Sequence, residues 1–150
     1  MMKIFFYLTL LIFALGATVS CSTGENSSKT TLENAEQAFQ NRRYNKAQQL
    51  ADSIINSGET EKMSSNALCR LALLFMRLAE TTGEEEANAA LAVRTLQAAM
   101  ACDSDSTVEF LRSVADDDRS RVQLMQAISN AFHGTTIEGD TVYFEYDSIY

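Results

Sequence analysis

The sequence predicts an all-α protein: five to six antiparallel helices arranged as helical hairpins, with a short C-terminal tail that is β-prone or disordered. Two observations carry this. Proline is absent from all 150 residues, and the six glycines sit mainly at element ends. Sandwiches and barrels need many Gly/Pro-rich turns, so this usage favours long uninterrupted helices. Between polar breaks, apolar residues also recur at i, i+3 and i+4, the period of one helix face. Some 100 ordered residues can bury the core of one small domain but not two.

The elements follow in order. Thr30 with Glu33 has the spacing of a capping box, so the first helix is predicted to begin at Thr30 or Thr31, with Leu32, Ala35, Ala38 and Phe39 on one face. Asn41 to Tyr44 makes a short break. Asn45 and Gln48 then suit the start of a second helix carrying Ala47, Leu50, Ala51, Ile54 and Ile55, which stops before Gly58. A third helix starts near Ser64 or Ser65. Its stripe of Leu68, Leu71, Ala72, Phe75, Met76 and Ala79 is the strongest in the chain, and Thr81-Thr82-Gly83 ends it. Glu84, Glu85 and Glu86 open the fourth helix, where acids suit the positive end of the dipole. That helix is alanine-rich from Ala87 through Ala101, which lets neighbours approach closely.

Asp103 to Ser106 separates the next unit, with Ser106 and Glu109 as a further capping box before Val108, Phe110, Leu111 and Val114. Asp103 and Asp105 alternate as in a calcium loop, but Val108 stands where such a loop needs Gly and Val114 where it needs Glu, so that reading fails. Asp116, Asp117 and Asp118 start the last helix, which carries Val122, Met125, Ile128, Ser129 and Phe132 and stops at Gly134. Residues 134–150 change character. Thr141 to Tyr146 has high strand propensity, with Val142, Phe144 and Tyr146 alternating against Tyr143 and Glu145. Two readings of this tail stand: it covers part of the helical body, or it offers a strand to the edge of a partner's sheet.

The N-terminus directs the chain. After Met1-Met2-Lys3, residues 4–17 are free of charge, and small residues lead into Cys21. This is the layout of a secretory signal peptide over residues 1–20. Fourteen residues rise about 21 Å as a helix, too short for a ~30 Å hydrocarbon core. Val19-Ser20-Cys21 resembles a bacterial lipoprotein signal box, although Thr18 and Val19 stand where Leu and Ala are usual. The resemblance implies cleavage before Cys21 and acylation of its thiol, hence a membrane anchor through two or more acyl chains, palmitate-type lipid included. Ser22 is not the Asp that retains many Gram-negative lipoproteins at the inner membrane, so the resemblance favours the outer membrane, facing either side. Residues 21–30 read as a flexible tether.

Composition narrows the function classes. The net charge is −8, and loss of Lys3 with the leader takes it to −9. Nucleic-acid binding depends on neutralising phosphates with Lys and Arg, which this balance disfavours. With Cys21 taken by lipid, Cys69 and Cys102 remain. They are either small buried hydrophobes or a disulfide, since in a hairpin of the third and fourth helices they stand roughly 18 and 24 Å from the turn. The single histidine, His133, falls at a helix end. Neither a Gly-rich phosphate loop nor a Gly-x-Ser-x-Gly elbow occurs, and one His with two Cys is a poor start for zinc. No catalytic residue, cofactor, metal site or small-molecule substrate is therefore expected, and the chain is read as a non-enzyme.

Ala35, Phe39, Tyr44, Ala47 and Ile54 resemble the spacing of a tetratricopeptide unit, and Ser64 to Asp103 resembles a second, longer one with Leu68, Ala72 and Ala98 at the crossing. The family's Trp and closing Pro are missing. The body, residues 31–133, thus resembles small repeat-like lipoproteins of Gram-negative bacteria, which implies an adaptor or scaffold for another envelope protein or peptide. The alternatives are a structural surface lipoprotein without a ligand and, more remotely, an accessory hydrolase. Asp52-Ser53-Ile54, Asp105-Ser106-Thr107, Asp140-Thr141-Val142 and Asp147-Ser148-Ile149 resemble an acceptor pattern for bacterial O-glycans, with Thr141 and Ser148 the best placed.

Overall fold

A computed structural model describes residues 23–133 of the chain. The leader, Cys21, and the tail with Thr141 and Ser148 lie outside the described residues. Among these residues the fold is entirely helical: α1 (Thr23–Gln40), α2 (Tyr44–Asn56), a 3₁₀ turn (Glu59–Lys62), α3 (Ser65–Thr82), α4 (Glu85–Cys102), α5 (Ser104–Ser113) and α6 (Asp116–His133). α1 pairs with α2 and α3 with α4 as antiparallel hairpins, and the α3–α4 contact is the most extensive. α5 and α6 barely touch each other. Each packs instead on both α3 and α4, so the third pair straddles the second hairpin.

The organisation follows from α3. Its buried residues include Leu68, Leu71, Ala72, Phe75, Met76 and Ala79 of the predicted stripe. Cys69, Leu73, Leu74 and Leu78 outside that stripe are buried too. A helix apolar on nearly all sides needs neighbours on nearly all sides, and α1, α2, α4, α5 and α6 supply them. Phe75, Leu71, Leu74 and Leu78 are among the largest fully buried side chains. α4 offers Ala92, Val93, Leu96 and Ala99 to this core, and its alanines allow the close approach. Ser64 caps α3, its side chain accepting from the Ala67 N–H at 3.3 Å. Gly83 ends α3 with φ +77°, a left-handed conformation that glycine adopts without strain.

Several boundaries differ from the sequence reading. α1 begins at Thr23, not at the Thr30–Glu33 capping box, so most of the stretch read as a tether is helix. Ser28 in that stretch is buried, and its hydroxyl donates to Glu59 Oε2 at 2.6 Å, tying α1 to the unpredicted 3₁₀ turn. No apolar period runs through Thr23–Lys29, which is why the capping box at Thr30, just before the first apolar residue Leu32, read as the start. α1 ends in a Schellman motif, with the Arg43 N–H on the Ala38 carbonyl and the Arg42 N–H on the Phe39 carbonyl. Its left-handed residue is Arg42, at φ +57°, where glycine is usual. α2 starts at Tyr44 without the Asn45–Gln48 cap, and Phe39 and Tyr44 pack ring against ring at 5.2 Å across the turn.

α4 and α5 are separated by Asp103 alone. Its carboxylate accepts from the Ser106 N–H at 3.0 Å and the Ser106 hydroxyl at 2.6 Å, so α5 starts two residues before the predicted Ser106 box. These two Ser106 bonds hold the Asp103 carboxyl below its usual range. No helix among the described residues is long and apolar enough to cross a membrane.

Candidate functional site

A cleft of about 230 Å³ opens over α3. Its floor is Arg70, Leu73 and Arg77. Glu36 of α1 forms one wall, and Phe110, Ser113, Val114, Ala115 and Asp118 form the other. α3 places Arg70 and Arg77 seven residues apart, two helical turns, so both emerge on the one strip of α3 that α1, α5 and α6 leave partly open. Each arginine is held by a carboxylate from a different wall. Arg70 reaches Glu36 in fork geometry, Nε to Oε1 at 2.9 Å and Nη2 to Oε2. Arg77 grips Asp118 in the same way, at 3.1 and 2.5 Å. Paired parallel bonds of this kind fix orientation as well as charge.

Asp118 is the more consequential partner. It is 5% exposed, and it also accepts from Arg121 Nη1 at 3.0 Å. Arg121 in turn forks onto Glu80 of α3, with Nε at 2.9 Å from Oε1, and caps the Asp117 carbonyl. The chain Arg77–Asp118–Arg121–Glu80 thereby stitches α6 to α3. Burial pushes the Asp118 carboxyl up, but the bonds and charges of Arg77 and Arg121 outweigh it, and the net shift is downward. The Arg70 guanidinium is pushed up, chiefly by Glu36, and Arg121 chiefly by Glu80, so both stay charged at any relevant pH. The cleft therefore carries four charges that cancel, around an apolar centre of Leu73, Phe110 and Val114. Its lining combines paired charges with apolar side chains, and neither arginine is left without a carboxylate partner.

A second polar junction lies on the other flank of the molecule. Asn88 is fully buried and exchanges reciprocal amide bonds with Gln48, both at 2.9 Å, joining α4 to α2. It also donates to Thr82 Oγ1 at 3.2 Å, while Gln48 donates to Asp52. Every polar atom of the pair has a use, so the junction fixes the register of the first hairpin on the second.

The remaining sequence candidates are dispersed. Cys69 and Cys102 are both free thiols, so the disulfide read as an alternative is not formed. Cys69 points into the core beside Thr107, and burial pushes its thiol pKa up, whereas Cys102 ends α4 on the solvent side. Similar heights along the hairpin did not imply facing side chains, since Cys69 is buried and Cys102 exposed. Ser53 sits within α2, its hydroxyl on the Leu50 carbonyl, and Ser106 is engaged with Asp103. Of the Asp116–Asp118 run, Asp116 pairs with Arg119, and Asp118 is spent on two arginines. Among the described residues no three His, Cys, Asp or Glu side chains gather to hold a metal. Sequence reasoning missed the cleft's arginines; the signal was their placement, two arginines interrupting the helix with the strongest apolar stripe at a spacing of seven. In comparisons with known proteins, the chain matches no family model, no curated protein and no solved structure.

Proposed function

We propose that this protein is a lipid-anchored component of the cell envelope that holds a peptide segment of another envelope protein in the cleft over α3. The observation that supports this reading most is the cleft itself, with an apolar centre of Leu73, Phe110 and Val114 between two arginine–carboxylate forks. A bound segment would bury side chains against Leu73, Phe110 and Val114, while the partly exposed guanidinium groups of Arg70 and Arg77 offer N–H donors to its backbone. The anchor follows from the signal box ending at Cys21. An outer-membrane site is the better fit to Ser22. A spacer role without any ligand is the second reading, favoured by the full compensation of the cleft's charges within the chain.

Two measurements test the proposal. Cys21→Ala is expected to move the protein from the membrane pellet to the soluble fraction; unchanged pelleting after a high-salt wash contradicts the anchor. Ser113 is exposed at the cleft wall, and Ser113→Trp fills the cleft from outside the core. Mild cross-linking and pull-down are expected to recover an envelope protein with the native chain and to lose it with Ser113→Trp. Recovery of the same partner by both chains places the contact elsewhere.

A further inference from the structure

The turn between α1 and α2 concentrates positive charge on one exposed corner of the molecule. Residues 37–51 contain no Asp or Glu, in a chain that has 20. Arg42, Arg43 and Lys46 are exposed there, and with Tyr44 and Asn45 they line a shallow hollow of about 340 Å³. None of the three cations enters an ion pair among the described residues, whereas Arg70, Arg77, Arg119 and Arg121 are all paired. Local stability argues against each of these side chains where it stands. Arg42 holds the left-handed position that suits glycine. Arg43 occupies the N-cap of α2 and makes no capping bond. Lys46 sits in a first turn without an acid, against the positive end of the helix dipole. Local rules broken together in this way mark residues kept for their charge.

We propose that these cations dock the domain on the phosphate groups of anionic lipids at the surface of the membrane that carries it. The proposal rests on the anchored reading of Cys21. Charge is polarised in the sense this needs. Residues 23–58 hold four cations and four acids, whereas residues 59–133 hold seven cations and twelve acids. An anionic surface therefore draws the turn in and repels the remainder. In sequence Cys21 precedes α1 by two residues, and the 18 residues of α1 rise about 27 Å towards the turn. Ser27, Thr30, Asn34 and Gln37 recur at helical spacing, all exposed, as an uncharged strip leading to it. No charge on this strip opposes α1 lying along the surface, which sets the turn at the headgroups. Tyr44, half-buried against Phe39 with ring centroids 5.2 Å apart, adds an amphipathic ring of the kind found at that level. An acidic protein segment would meet the same cations, but the anchor holds lipid phosphate beside the turn at all times.

The chain has no tryptophan, so Asn45→Trp in the full-length protein extracted from membranes reports from the turn alone. It is reconstituted into vesicles of phosphatidylethanolamine with phosphatidylglycerol, or of phosphatidylcholine alone, each carrying a headgroup-level quencher. One basic side chain near an anionic surface favours contact about fivefold. Net of repulsion from the acids, three are expected to raise the quenched population on the order of tenfold on the anionic vesicles. The gain is expected to vanish when Arg42→Gln, Arg43→Gln and Lys46→Gln are combined, with helical circular dichroism unchanged. It should vanish also in about 1 M salt, where the screening length falls to about 3 Å. A reporter at Gln123→Trp, exposed on α6, is expected to show no gain. Sedimentation with both vesicles but equal quenching overturns this proposal and leaves the anchor standing. A gain that survives the combined substitution overturns it too. So does a protein adduct from a photoreactive residue at position 46, which would give the cations to an acidic partner. Protein that sediments with neither vesicle overturns the anchor, and the choice of lipid with it.

Discussion

Replacing the buried Asp118 with Asn should destabilise the protein more than removing an exposed charge. The substitution keeps the shape and deletes the charge that Arg77 and Arg121 share at 2.5 to 3.1 Å. Removing one partner of a fully buried ion pair costs about 3–5 kcal/mol, whereas an exposed pair is worth about 0–1. Asp118 is buried, but the side chains of Arg77 and Arg121 are 34% and 22% exposed and recover part of their solvation. The expected loss is therefore intermediate, about 2–3 kcal/mol. For a domain of this size that lowers Tm by about 8–15 °C. Thermal unfolding followed by circular dichroism measures it, with Asp117→Asn as the control, since Asp117 gives Arg121 only its backbone carbonyl. The effect must also depend on pH. The carboxyl is depressed in the folded state, so its stabilisation is present above the unfolded pKa of about 4 and is lost as pH falls through the lower folded value. The two variants should converge with the native protein in strong acid. A fall below about 2 °C at pH 7, or equal losses for Asp118→Asn and Asp117→Asn, refutes the assignment.

Further expectations follow from the same contacts. Asn88→Ala leaves Gln48 Oε1 without its donor and opens a void, costing about 2 kcal/mol, and Asn88→Leu should not restore it, because that oxygen stays unpaired while Gln48 keeps only its bond to Asp52; urea unfolding decides. Arg42→Gly should stabilise by about 0.5 kcal/mol, the relief of a left-handed non-glycine residue less the entropy glycine gains when unfolded; a loss of stability would mean the Arg42 side chain has a partner. Cys102 should react with a thiol reagent within seconds in the native state and Cys69 only on unfolding, with Cys69→Ser rather than Cys102→Ser lowering Tm. Because the Cys69 pKa is raised, its neutral thiol stabilises the fold up to the unfolded value, and that contribution is lost as pH rises towards the folded one.

Where burial alone set the structure, the sequence was readable. The apolar period placed α3, the absence of proline left every helix whole, and Gly83 marked the end of α3. Boundaries set by polar partners were not readable, since the partner is remote in sequence. Ser28 bonds Glu59, Asn88 bonds Gln48 and Asp118 bonds Arg77, over separations of 31, 40 and 41 residues. Asp118 illustrates the difficulty: within its own run it reads as one of three solvated helix-starting acids, and only α3 crossing beneath it makes it a buried hub. The Asp103 cap was local and readable in principle, but Ser106 with Glu109 offered a competing pattern one turn later. The circumference of α3 was also underestimated, because a stripe search stops at one face, while Leu73, Leu74 and Leu78 already showed a helix enclosed on several sides.

The central claim, an anchored chain that holds a partner in the cleft over α3, meets its most direct test in site-specific photo-cross-linking on intact cells. A photoreactive amino acid replaces Ser113 at the cleft wall, and a second chain carries it at Lys46, in the first turn of α2 and outside the cleft lining. Irradiation is expected to give one discrete adduct with an envelope protein from position 113, none from position 46, and none from position 113 when Cys21→Ala releases the chain from the membrane. No adduct from position 113, or the same adduct from both positions, would contradict the claim.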